Sequence, residues 1–197
     1  MILGWFTLSI LVLVQINHAQ AHGHLVSPRS RNWVAHQDGI EGVQVGVPKR
    51  EYCQHCLNTN NGVCGASPNF DYDKWLDSTS SQMPWVTQAT YQAGSVIRIK
   101  TQISTHHNGH VEVKGCPHGK ASTQECFDDP SHQLTFVEDV LYGMPADLSY
   151  PERGYLAGGQ ASALSEFEMD FKLPDKLVGS EVLLQVSMIE GSLLLSK

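Results

Sequence analysis

Three stretches of the chain alternate apolar and polar residues with a period of two. Over residues 95–103, Ile97, Ile99, Thr101 and Ile103 share one face, and Arg98, Lys100 and Gln102 share the other. Residues 166–173 set Phe167, Met169, Phe171 and Leu173 against Glu166, Glu168, Asp170 and Lys172. Residues 181–188 place Val182, Leu184, Val186 and Met188 in register, while Leu183 among the alternate positions predicts burial on both faces. Successive strand side chains point to opposite sides of a sheet, so each stretch reads as a strand. Shorter strands are expected at residues 110–114 and 134–137. No segment sustains a helical period, and turn formers such as Asn108-Gly109 and Leu173-Pro174-Asp175 separate the strands. The pattern predicts an all-β fold, an immunoglobulin- or fibronectin-III-like antiparallel β-sandwich. Between His22 and Trp85 alternation nearly vanishes, which predicts a long, loop-rich N-terminal region of the kind that carries function.

Residues 2–16 are almost wholly apolar, and no Asp, Glu, Lys or Arg precedes Arg29. The run is too short for a membrane span, which needs about 20 apolar residues. It sits where a secretory signal has its apolar core, and Ala19-Gln20-Ala21 supplies a small-residue processing site. The expectation is a signal peptide over residues 1–21 and a secreted, extracellular domain over residues 22–197, with no membrane attachment after processing. Five cysteines, Cys53, Cys56, Cys64, Cys116 and Cys126, are then expected to form disulfides, with one left over. Cys116 with Cys126 makes a plausible local clasp. Cys53-x2-Cys56 and Cys64, with His55 between, also fit a zinc knuckle, though a closed zinc site takes four ligands. The formal charge of −7 argues against nucleic acid and anionic membrane surfaces and leaves a neutral polymer as a compatible partner. No phosphate-binding loop, zinc-protease helix or serine elbow is present, and no paired carboxylates of the glycosidase type stand out.

Processing after Ala21 makes His22 the first residue. Its free amine and ring nitrogen can then chelate one metal ion, and nitrogen donors in a tetragonal arrangement suit Cu(II). Deprotonating the amine at neutral pH costs only about 1–1.4 kcal/mol, from a reference pKa of roughly 7.7–8.0. Cleavage after Ala19 would instead leave Gln20 first and remove the chelate. A third nitrogen is available from His106, His107 or His110, which lie beyond the strand ending at Ile103. His24 offers a competing local clamp through ionised backbone amides, unless strand pairing withholds them. His36, His55, His118 and His132 are expected to be surface or hydrogen-bonding residues. Trp33, Tyr52, Trp75 and Trp85 lie in or near the loop-rich region, where most should pack the loops; Tyr52 is the candidate sugar contact.

The start His22-Gly23-His24-Leu25-Val26-Ser27-Pro28-Arg29, the segment Thr105-His106-His107-Asn108-Gly109-His110-Val111-Glu112-Val113, and Cys116-Pro117 resemble lytic polysaccharide monooxygenases of the chitin-binding type-4 kind, auxiliary-activity family 15 above all. The resemblance extends to about Gln185. It implies a histidine brace of the His22 amine and ring with the His107 ring, one copper ion per chain, an external electron donor, and oxidative cleavage of insoluble chitin or cellulose by a monomer. Two departures accompany it. Thr105 stands where the family usually has alanine, and residues 186–197 lack the aromatic residues and cysteine that the family carries there, so a C-terminal truncation is expected, with no axial residue assigned. A non-catalytic chitin-binding or copper-holding protein of the same fold, or an inactive truncated relative, is the alternative. An extracellular structural or adhesion domain is a further one.

Overall fold

The alternating stretches form strands in the computed structural model, which describes residues 22–38, 66–67, 70–71, 79, 81, 85–105, 108–158 and 164–189. The elements are β1 (His22–Ser27), α1 (Arg31–Asp38), β2 (Ala66–Ser67), β3 (Phe70–Asp71), β4 (Val96–Thr105), β5 (His110–Cys116), α2 (Gln124–Phe127), β6 (Thr135–Asp139), β7 (Gly154–Tyr155), β8 (Glu166–Lys172) and β9 (Leu183–Ile189). A four-stranded sheet runs β1-β4-β8-β6, a three-stranded sheet runs β7-β5-β9, and β2 pairs with β3. All of these pairings are antiparallel.

The two larger sheets enclose one core and form the expected β-sandwich. Ile97, Ile99, Ile103, Phe136, Phe167, Met169 and Phe171 enter it from the first sheet, Val111 and Val113 from the second. Each large apolar side chain buried this way contributes about 1.5–3 kcal/mol. On the outer face of the first sheet, Arg98 lies opposite Asp170 and Lys100 opposite Glu168. Arg98 grips both Asp170 oxygens at 2.8 and 3.0 Å, and Lys100 Nζ reaches Glu168 Oε1 at 2.6 Å. These cross-strand pairs complete the alternation read from the sequence.

The structure departs from the sequence reading in β9 and in the loop-rich region. In β9, Leu184, Val186 and Met188 pack on the core as expected. On the opposite face the fully buried position is Gln185, at 1% exposure, whereas Leu183 is only half-buried. On this face the Gln185 amide meets α2: Gln185 Nε2 donates to Gln124 Oε1 at 2.8 Å. Within the loop-rich region the chain forms β1 and α1, neither visible as a period. β1 pairs along one edge and carries Gly23 and His24, and α1 has eight residues, about two turns. Trp33 of α1 packs on His24 of β1, ring centroids 4.7 Å apart.

The Cys116–Cys126 disulfide forms as the expected clasp and ties the end of β5 to α2. Cys53, Cys56, Cys64, Tyr52, Trp75 and residues 1–21 lie outside the described residues. Among the described residues no helix is long and apolar enough to cross a membrane.

Candidate metal centre

The end of the β1–β4 ladder brings two distant parts of the sequence together. His22 lies opposite Thr105 and Gly23 opposite Ile103, so β4 carries one extra residue, Ser104, between them. A bulge of this kind bends its strand and redirects the residues beyond it. Gly23 permits the close approach. A Cβ there would stand 2.7 Å from the Gln102 carbonyl oxygen and 3.2 Å from Ile103 Cα.

Beyond Thr105 the chain leaves the first sheet and enters the second at His110. Asn108 (φ 64°) and Gly109 (φ 99°) make this corner with two residues of positive φ, a conformation that asparagine and glycine tolerate best. The Leu156 amide donates to the Gly109 carbonyl at 3.0 Å and secures it. The His22 side chain, and His106 and His107 entirely, lie outside the described residues. The backbone of the expected terminal ligand is therefore set beside the strand that leads to His107, without a described ligand contact.

The other histidines are accounted for differently. His24 is buried, and its backbone pairs with Gln102, which opposes the terminal clamp. His110 is 7% exposed, with Nε2 2.9 Å from Glu112 Oε1, so that nitrogen is engaged away from the corner. His132 Nδ1 lies 2.7 Å from the Cys126 carbonyl oxygen, and His118 is exposed. The side chain of His36, and His55 entirely, lie outside the described residues. Cys116, His118 and Cys126 have potential donor atoms within 4.8 Å of one another, but the disulfide consumes both thiols. Trp85 is a packing residue, with the Arg31 guanidinium 3.1 Å from its ring centroid.

A polar group that the sequence reading did not assemble stands behind the corner. Glu112 Oε1 lies 3.5 Å from Arg153 Nε as well as beside His110. Burial works against the charge of Arg153, yet Tyr155, Glu112 and Glu152 together hold its pKa above the ordinary guanidinium value. The Arg153 guanidinium lies 3.8 Å from the Tyr150 ring centroid. The available signal was the polar pair at positions 110 and 112, which share a strand face.

The family model for lytic polysaccharide mono-oxygenases, described as cellulose-degrading, matches residues 22–190. The chain belongs to the lytic polysaccharide monooxygenase family. The match begins at His22, the first residue of β1. A solved structure of an auxiliary-activity family 15 lytic polysaccharide monooxygenase from Thermobia domestica, in the Cu(I) state, is similar at 24% identity. That similarity covers 84% of this chain and 81% of the other, with a TM-score of 0.49. No curated protein sequence matches this chain. Membership makes copper the metal against which the donor set is judged. Nitrogen donors suit Cu(II), and the β1–β4 register sets the backbone of His22 beside Thr105 at the end of the ladder.

Proposed function

We propose that this chain is a secreted, copper-dependent monooxygenase that cleaves chitin or cellulose oxidatively. Residues 1–21 are removed as a signal peptide, and the amine and ring of His22 with the ring of His107 hold one copper ion. The observation that carries the reading is the pairing of His22 with Thr105. Residue 107 is only two peptide units beyond Thr105, at most about 7.6 Å along the chain. When bound there, copper supplies one-electron redox chemistry, with electrons from an external donor, for oxidation beside a glycosidic bond.

The protein's own part is positional. His22 presents a deprotonated amine, Gly23 lets β1 close on β4, and the Asn108-Gly109 corner turns the chain after His107. The pairing and burial of His24 disfavour the competing clamp. The net charge of −7 favours an uncharged polymer over an anionic one.

Mass spectrometry of the secreted protein, followed by Cu(II) titration and electron paramagnetic resonance of wild type and His107→Ala, tests the reading. A His22 terminus and tight binding of one Cu(II), with a three-nitrogen signature lost in His107→Ala, is the expected result. A different terminus, or a signature indifferent to the substitution, overturns the brace. Release of oxidised oligosaccharides from chitin or cellulose distinguishes an enzyme from a copper-holding protein of the same fold.

A further inference from the structure

We infer that His110, Glu112 and Arg153 form a positioning cluster that holds the Asn108-Gly109 corner and, through it, supports His107 as a copper ligand. The inference rests on the reading of His107 as a copper ligand. His110 is the first residue after the corner, and its backbone pairs with Tyr155 while the neighbouring Leu156 amide bonds to Gly109. Its buried ring is held from two sides, by Glu112 Oε1 at 2.9 Å and by the Tyr155 ring at a centroid distance of 5.6 Å. Tyr155 is itself fixed, its hydroxyl donating to Asp147 Oδ2 at 3.1 Å.

Glu112 joins the two strands that make this end of the sheet. Its Oε1 faces His110 on the same strand and Arg153 just before β7, so one carboxylate couples β5 to the segment that carries the Leu156 anchor. The Glu112 side chain is only 15% exposed and that of Arg153 29%, so water screens the pair incompletely. Removing the carboxylate takes away the partner of the His110 imidazole and leaves the Arg153 guanidinium with Glu152 Oε1, also at 3.5 Å, so the side-chain link between β5 and the residue before β7 is lost. Groups that support a metal ligand from behind typically change affinity about 10- to 100-fold when removed.

The test uses full-length secreted protein with Glu112→Ala, Glu112→Gln, Arg153→Ala and His107→Ala. Hydrogen exchange at the Leu156 amide is measured without copper, and Cu(II) affinity and the paramagnetic spectrum are measured with it. Faster Leu156 exchange and a roughly 10- to 100-fold loss of affinity in Glu112→Ala and Arg153→Ala, with partial recovery in Glu112→Gln, is expected. Should Glu112→Ala fail to fold, Glu112→Gln and Arg153→Ala carry the same comparison. Unchanged exchange, or affinity within about twofold of wild type, overturns the inference. Retention of the wild-type signature in His107→Ala instead overturns the brace, and the copper-free exchange result still reports separately on the corner.

Discussion

Substituting Gly23 with alanine tests the link between strand packing and the terminal ligand. The new Cβ would stand 2.7 Å from the Gln102 carbonyl oxygen, whereas ordinary contact begins near 3.4 Å. The obstructing atom is backbone, so β1 must retreat from β4 by about 0.7 Å, a distance over which close contacts change steeply. Overpacking of this kind costs about 1–3 kcal/mol. With a Tm change of about 2–4 °C per kcal/mol for a chain of this size, the expected loss is roughly 2–12 °C. Because the retreat occurs one residue from His22, the proposed amine ligand, copper affinity should fall roughly 10- to 100-fold. Calorimetric unfolding and competitive Cu(II) titration read the two effects. Gly143→Ala is the control. Its φ of +68° makes alanine strained by about 1–2 kcal/mol, but its Cβ would meet nothing within 4 Å. That variant should lose stability and keep copper affinity. Wild-type copper affinity in Gly23→Ala, or an equal loss in Gly143→Ala, would refute the reasoning.

Cys126→Ser opens a disulfide spanning a sequence separation of 10, and should lower stability by about 3 kcal/mol while leaving the copper signature unchanged; denaturant unfolding with and without the substitution checks this, and an unchanged midpoint contradicts it. The hydrogen bond from Lys114 holds the Asp128 pKa below its ordinary value, with Gln124 adding to the effect. A depressed carboxyl stabilises the fold above its unfolded pKa, and that contribution is lost as pH falls through the folded value. Lys114→Met should therefore be less stable than wild type at neutral pH, with the gap closing as the solution is acidified through the carboxylate range; a gap independent of pH in urea unfolding would rule out this linkage.

The strands β4 and β8 were legible because their burial follows a local rule. Ile97 and Phe171 face inward for the same reason that Arg98 and Lys172 stay exposed, the two-residue period of an extended chain. β1 escaped that rule because His22-Gly23-His24-Leu25-Val26-Ser27 does not alternate apolar with polar residues, and the register of His22 with Thr105 depends on a bulge at Ser104. Gln185 departed from expectation for a related reason. Its amide is matched by Gln124 of α2, which lies elsewhere in the chain. His110 was legible as a histidine near the site, but its engagement with Glu112 and the approach of Arg153 required β5 and β7 to be adjacent.

By itself the sequence determined the inward faces of β4 and β8 and made a Cys116–Cys126 clasp plausible, because each depends on local geometry or on residues close along the chain; the structure decided that the clasp forms. Tertiary structure alone decided that β1 lies against β4, that His24 is buried on Trp33, and that Glu112 reaches both His110 and Arg153. Those contacts depend on strand order and register, which arise when whole sheets bury their faces together, and no short stretch of residues encodes them.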